Sequence, residues 1–237
     1  MRAIILAGGM GTRLKPYTVT LPKPLMPLGG KMAIVEIIIR QLAASGFDHI
    51  TIAVNHMAKL IMAFCEDGSR WGVKIDYSTE EQPLSTIGPL TLIDDLPEHF
   101  LVMNGDILSD LDYGAFLKKH IQENNDVSVS VYLREVQIDF GVLHLDPAGN
   151  LDGFSEKPVE RFIVSMGVYG ISRRVVEKLE HNRPYGFDDL MIDGIKNGQR
   201  ISAVKYDGYW LDIGRPGDYD QANADFEELR AKWNLGG

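Results

Sequence analysis

Residues 6–24 read Leu-Ala-Gly-Gly-Met-Gly-Thr-Arg-Leu-Lys-Pro-Tyr-Thr-Val-Thr-Leu-Pro-Lys-Pro. They continue Ala3-Ile4-Ile5-Leu6-Ala7, an apolar run short enough and β-branched enough to be a buried first strand. Glycines 8, 9 and 11 come immediately after it. Without Cβ atoms they turn sharply and bring backbone N–H groups close to a ligand. Arg13 follows, and Lys23 is clamped between Pro22 and Pro24. Glycine amides, an arginine and a rigidly held lysine together suit a polyphosphate. The glycines alone read equally well as a plain strand-to-helix turn. A P-loop is excluded, because the nearest lysine, Lys15, has no hydroxyl residue beside it. A dinucleotide fingerprint is excluded because Leu14 stands where its third glycine belongs.

Working outward, 237 residues suffice for one large α/β domain or two small ones, with a sizeable core. The 24 Lys+Arg against 33 Asp+Glu give a net charge of −9, which argues against a general nucleic-acid binder. The single cysteine, Cys65, excludes an internal disulfide and suits a reducing cytoplasm; its apolar neighbours mark it as inert packing. No signal peptide is visible, and the apolar stretch 34–39 is too short and too interrupted by Glu36 to cross a membrane. The six histidines show no metal-binding spacing, so a zinc site is not expected.

The pattern predicts a helix over 33–45, a buried strand over 50–54, a helix over 57–66 and a strand over 74–77. Strand and helix alternating in this way imply parallel pairing. A loop at 81–90 feeds a helix, residues 100–103 form a fourth strand ending in Asn104-Gly105-Asp106, and a helix over 113–124 starts behind Asp112. The texture then changes. Residues 127–133 alternate as a half-buried strand, and 141–145 with 151–154 form a hairpin about Asp146-Pro147-Ala148-Gly149-Asn150. A strand over 164–171, helices near 173–180 and 187–197, a strand over 201–205 and a last helix from Pro216 to about 233 complete the chain. No repeat or linker interrupts it. One domain spans 1–237, with a parallel half (1–125) expected to bind nucleotide and a mixed half (126–237) expected to bind a second substrate.

Asp106 and Asp212 both stand at strand ends, where open α/β sheets bind ligands. A hard cation such as Mg²⁺ takes one or two carboxylates plus substrate phosphates, and these two acids fit that need. Read alone, each is also a plain turn or helix start. Asp110-Leu111-Asp112 has the spacing of a glycosyltransferase metal motif, but capping of the next helix explains it better. Glu156-Lys157 read alone is a solvated charge pair.

The run with Arg13 and Pro22-Lys23-Pro24, the loop Pro83-Leu84-Ser85-Thr86-Ile87-Gly88, Asn104-Gly105-Asp106, Glu156-Lys157-Pro158 and Trp210-Leu211-Asp212-Ile213-Gly214-Arg215-Pro216 occur in that order. Together these five motifs resemble the sugar-phosphate nucleotidylyltransferases, and the likeness to mannose- or heptose-1-phosphate guanylyltransferases is strongest. The resemblance implies a three-layer α/β/α, Rossmann-like, GT-A-like fold with a mixed, mostly parallel sheet, without the β-helical domain that some relatives carry. It implies an enzyme joining an NTP, GTP by preference, to a manno-configured sugar 1-phosphate, releasing pyrophosphate by Mg²⁺-assisted in-line attack. Glucose-1-phosphate thymidylyl- or uridylyl transfer is the alternative, followed by a cytidylyltransferase. A GT-A glycosyltransferase or a nucleotide sensor would be the reading from another class.

By the same resemblance the catalytic residues are Arg13, Lys23, Asp106 and Lys157, with Asp106 and Asp212 holding the metal. Nucleotide contacts would come from Leu6, Ala7, Gly8, Gly9, Gly11, Thr12, Arg13 and Lys23, from Glu80, Pro83, Leu84, Thr86 and Gly88, and from Asn104 and Gly105. Sugar-phosphate contacts would come from Gly141, Glu156, Lys157 and Tyr169, with Asp139 on weaker grounds. Ser85 and Ile87 replace the glycine and alanine common in the family, and their bulk predicts a reshaped base pocket. Nucleic acid and membrane are not expected partners, and homo-oligomerisation is left open.

Overall fold

The computed structural model describes residues 1–233. The chain runs β1 (Arg2–Leu6), β2 (Pro27–Leu28), β3 (Met32–Ala33), α1 (Ile34–Ala44), β4 (His49–Val54), α2 (Ala58–Cys65) and β5 (Lys74–Thr79). It continues with β6 (His99–Asn104), β7 (Ile107–Ser109), α3 (Tyr113–Gln122), β8 (Val127–Gln137), β9 (Val142–Leu145), β10 (Leu151–Ser155) and β11 (Val159–Ser172). Last come α4 (Arg173–Val176), α5 (Phe187–Lys196), β12 (Ile201–Tyr206), β13 (Trp210–Asp212) and α6 (Pro216–Lys232).

Seven strands form one sheet in the order β12-β8-β11-β6-β1-β4-β5. Only β11 runs against its neighbours; every other pairing is parallel. Successive residues of a strand point to opposite faces, and both faces are covered. Ala3 and Ile5 of β1 join the apolar cluster under α1 and α6, whereas Ile4 joins the cluster under α4 and α5. This is the three-layer α/β/α arrangement expected. The β-branched density of α1 suits burial: Ile34, Val35, Ile37, Ile38, Ile39 and Leu42 are all fully buried. Each contributes roughly 1.5–3 kcal/mol by leaving water. Cys65 is buried, and loss of hydration pushes its thiol up to about 12, as inert packing requires.

The order of strands locates the crevice. From β1 the chain crosses to β4 on one side; from β6 it leaves towards β8 on the other. The carboxyl ends of β1 and β6, paired in parallel, therefore bound a topological switch point. Gly105 keeps this junction tight. Its N–H donates to the Leu6 carbonyl at 2.9 Å, and a Cβ there would stand 2.9 Å from that same oxygen.

Several elements depart from expectation. The loop at 81–90 leads into a single 3-10 turn, Gly88–Leu92. The alternation in β8 does not mark an exposed face, because Ser128 and Ser130 are as buried as the valines. Their hydroxyls are satisfied within the fold: Ser130 Oγ donates to the Val168 carbonyl at 3.0 Å, and Ser128 Oγ lies 2.9 Å from His120 Nδ1. Strand β7, three residues long, carries too little periodicity to be read, while β13 (Trp210–Asp212) ends at Asp212 as expected. Asp112 caps α3 as foreseen, accepting from Ala115 N at 2.8 Å.

His120 is wholly buried, with its Nε2 3.2 Å from His99 Nδ1 and its Nδ1 on Ser128. Burial, then the neighbouring His99 and Arg174, lower its pKa to about 4 from 6.5, outweighing Asp126 and Glu123. The folded state thus holds His120 neutral where the unfolded chain protonates it, so its contribution is complete above about 6.5 and declines towards 4. The thermal midpoint should fall as pH is lowered through that window, and His120→Asn should flatten the slope in a calorimetric pH series.

Candidate active site

A cavity of about 680 Å³ opens at the β1–β6 switch point, walled by the glycine loop on one side and the 80–89 loop on the other. Of the residues expected to contact nucleotide, Leu6, Ala7, Gly8, Gly9, Gly11, Thr12, Arg13, Lys23, Glu80, Pro83, Thr86 and Asn104 all line it. Gly8 permits a close approach, since a Cβ there would lie 2.9 Å from Glu80 Oε1. Gly11 adopts φ +60°, and a Cβ would meet Thr18 at 2.9 Å. Thr18 Oγ1 in turn donates to the Gly11 carbonyl at 2.8 Å, tying the loop's ends together.

Lys23 opens a 3-10 turn that Pro24 continues. Its side chain is only 10% exposed and its ammonium donates to Asp106 Oδ2. The other oxygen, Asp106 Oδ1, is buried without a hydrogen-bond partner. Asp212 approaches through the antiparallel β7–β13 ribbon, which pairs it with Ile107, and Ile213 N donates to the Asp106 carbonyl at 3.1 Å. Asp212 keeps contact with solvent, yet partial loss of water and then the Asp106 charge raise its carboxyl above the usual range, against Lys23 and Arg13. Arg13 reaches the same corner; a Cβ on Gly214 would sit 3.5 Å from its guanidinium.

Two acids around one lysine, one of them with an orphaned oxygen, fit a divalent cation of the Mg²⁺ kind completed by phosphate oxygens. Among the described residues no group of three or more His, Cys, Asp and Glu could hold a metal unaided.

Glu80 is buried, and its carboxyl is raised by desolvation despite accepting from Leu84 N at 2.9 Å. The Leu84 side chain is fully buried and meets this site only through that amide. Gly88 packs against the 183–185 backbone, where a Cβ would stand 2.6 Å from the Arg183 carbonyl. The expectation for the two departures is half corrected. Ile87 turns into the core among Ile4, Leu90 and Phe100 and does not reach the cavity. Ser85 does line it, and holds φ +64°, a left-handed conformation that glycine adopts without strain.

The sugar-phosphate set is placed elsewhere. Gly141, Glu156 and Lys157 lie on the exposed β9–β10 hairpin and its exit, outside the cavity lining. A Cβ on Gly141 would touch the Phe154 ring at 2.6 Å and Glu156 Oε2 at 3.3 Å, so Gly141 and Glu156 are neighbours. Lys157 has φ +43°. Asp139 is exposed beside them. Tyr169 is 3% exposed, stacked on Phe187 at 4.5 Å, with its hydroxyl accepting from Ser165 Oγ. The cavity wall also includes Asn55 and His56, which the sequence reading missed. They are polar residues just past β4, beside the end of β1, and the strand-end rule applied to β4 would have found them.

The nucleotidyl transferase family profile matches residues 2–228 of this chain. The chain belongs to that family. Among its relatives, a mannose-1-phosphate guanyltransferase of Schizosaccharomyces pombe is 35% identical over 232 residues, which cover 92% of this chain and 62% of that protein. One from Yarrowia lipolytica is 33% identical over 230 residues with the same coverage. The chain thus spans about 62% of the length of these curated relatives. The crystal structure of HddC from Yersinia pseudotuberculosis complexed with GMP-PN superposes with a TM-score of 0.71 at 26% identity, covering 95% of this chain and 99% of that one. Family membership agrees with the resemblance read from the five motifs. No helix among the described residues is long and apolar enough to cross a membrane.

Replacing Asp106 by Asn removes the charge that stands against Asp212. The Asp212 carboxyl should then titrate at lower pH in a ¹³C NMR series; an unmoved titration would show that the two acids do not sense each other.

Proposed function

We propose that this chain transfers a nucleotidyl group from GTP to a manno-configured sugar 1-phosphate, giving a nucleoside-diphosphate sugar and pyrophosphate. The observation that carries the reading is a cavity sized for a nucleotide, lined by the glycine loop, Lys23 and Asp106, with Asp212 near enough behind it for the Asp106 charge to raise its carboxyl. The preference for guanine rests on the relatives named as guanyltransferases and on the neighbour solved with GMP-PN. Glu80 adds a chemical reason: a carboxylate facing the cavity offers acceptors for the paired donors on guanine's Watson–Crick edge.

The reaction requires a sugar-phosphate oxygen to attack the α-phosphorus in line while negative charge gathers on the phosphoryl oxygens and the departing pyrophosphate. Such chemistry depends on positioning and countercharge rather than on a protein nucleophile. The loop amides of residues 8–13 and Arg13 hold the departing side, and Lys23 faces the α-phosphate. Lys157 receives the phosphate of the second substrate, with Glu156 and Gly141 beside the sugar. Asp106 and Asp212 would hold Mg²⁺, whose chemistry when bound is neutralisation of phosphate charge. Lys23 leaves Asp106 for the phosphate as substrate enters, so one lysine first screens the acids and then the reacting group. The nucleotide contacts fall in 1–125 and the sugar-phosphate contacts in 126–237, within one domain. The single free thiol, buried, suits a reducing cytoplasm.

Four NTPs tested against a set of sugar 1-phosphates, read by pyrophosphate release, should show GTP with a mannose- or heptose-type 1-phosphate as the fastest pair. No release with any pair would refute the reaction. Lys23→Ala should lower kcat by about 10²–10³-fold, the scale of losing one preorganised donor, with circular dichroism unchanged. Lys157→Ala should raise KM for the sugar phosphate while leaving KM for the nucleotide in place.

A further inference from the structure

The loop that follows β5 forms one wall of the cavity, with Pro83, Ser85 and Thr86 lining it beside Glu80. Its backbone is clamped on both sides of Ser85. Before it, the Leu84 carbonyl accepts from Tyr185 N at 3.1 Å, and Leu84 N donates to Glu80 Oε2 at 2.9 Å. After it, Ile87 N and Gly88 N both donate to the Tyr185 carbonyl, at 2.9 and 3.0 Å. Ser85 spans the turn between these anchors at φ +64°, where a side chain is strained. Such strain persists only where the surroundings over-determine it, and it gathers at ligand sites. Ser85 is exposed into the cavity, and among the described residues its hydroxyl has no hydrogen-bond partner. The packing of the loop therefore does not account for the hydroxyl.

Guanine's Watson–Crick edge carries two kinds of group: N1–H and the 2-amino group donate, and O6 accepts. On the guanine reading proposed above, on which this inference rests, the Glu80 carboxylate takes the two donors. That leaves O6 in need of a donor, and a desolvated acceptor without one is costly. The loop has few donors to spare. Its amides at Leu84, Ile87 and Gly88 are spent on Glu80 and Tyr185, and Pro83 and Pro89 have none. We propose that Ser85 is a specificity-determining residue of the base pocket, its hydroxyl donating to O6 of guanine beside Glu80. Thr86 carries the loop's other hydroxyl but not the left-handed backbone. The clamp fixes the direction of the Ser85 side chain, so little freedom is lost when the bond forms. Carboxylate and hydroxyl then read the whole edge between them. Adenine turns an acceptor, N1, towards the same carboxylate and is repelled.

Isothermal titration with GTP, ITP and 6-thio-GTP isolates the contact, because ITP keeps O6 whereas 6-thio-GTP replaces it with sulfur, a weak acceptor. The wild type should bind GTP about 3–10-fold more tightly than 6-thio-GTP, the scale of one net hydrogen bond. Ser85→Ala removes the hydroxyl, and Ser85→Gly removes it together with the strain. Both should abolish that preference, weakening GTP and ITP by the same factor and leaving 6-thio-GTP where it was. In the pyrophosphate assay the loss should fall on KM for GTP rather than on kcat, as for a contact made equally in ground and transition states. A wild type without the preference, Ser85 variants that keep it, or its loss on Thr86→Val alone would each overturn the assignment. Loss in Ser85→Ala with retention in Ser85→Gly would overturn it too, since backbone rather than hydroxyl would then be responsible. The same titrations keep the two proposals apart. GTP turned over with a preference indifferent to Ser85 sinks this inference alone, and GTP bound through Ser85 without pyrophosphate release sinks the reaction alone. GTP bound no more tightly than ATP, CTP or UTP sinks the guanine reading and this inference with it.

Discussion

The contact on which the rest of the structure depends is the one between the Lys23 ammonium and Asp106, under the carboxyl end of β1. Burying an ammonium and a carboxylate is unfavourable unless each finds an opposite charge. Here the pairing is incomplete by design of the fold. Asp212 stands close enough for Asp106 to raise its pKa, and one oxygen of Asp106 has no partner. Lys23 answers one acid where two converge. The corner is therefore left with an appetite for positive charge, and the neighbouring glycine amides with an appetite for negative charge. A phosphate chain accompanied by a cation satisfies both at once.

Bringing those charges together takes segments far apart in sequence, and each is held by a small steric permission. Gly105 lets the β6–β7 turn press on the Leu6 carbonyl. Gly167, at φ +75°, lies where a Cβ would strike the Asn104 amide and Ile107, so the bulge in β11 can lie against the same turn. Trp210 Nε1 donates to the Met166 carbonyl at 3.1 Å, fastening β13 to that bulge and carrying Asp212 with it. Asp110 holds the ribbon from the other side, accepting from Tyr209 N at 2.7 Å and from the Lys232 ammonium. Its place in an Asp-x-Asp sequence is thereby explained as anchorage of β13 and α6.

Much of this could be read from residue order alone, and for identifiable reasons. The strands from 2 to 104 are apolar runs ended by polar or glycine-rich turns, so their existence and parallel sense follow from pattern. The glycine loop is readable because three glycines in four positions after an apolar strand suit no packed element. What pattern hides is pairing that depends on a few distant residues. The β7–β13 ribbon is three residues long on each side, yet it pairs Asp212 with Ile107, next to Asp106. Ser128 and Ser130 look like an exposed face because alternation does not show that their buried hydroxyls find partners, Ser130 in the remote Val168 carbonyl and Ser128 in His120 of the preceding helix. Ile87 looks like a change in the pocket because its neighbours in the loop face the cavity, while its own backbone, donating to Tyr185 O, turns the side chain inward.

The two proposed substrate sites stand on supports of unequal stiffness. The nucleotide cradle is welded to β1, β4 and β6, where a change in one side chain disturbs a close-packed core. The residues proposed for the sugar phosphate stand on an arm outside the seven-stranded sheet, with most of its apolar side chains uncovered within one chain. Substitutions there cost the core little, so the second substrate can change while the phosphate chemistry is kept.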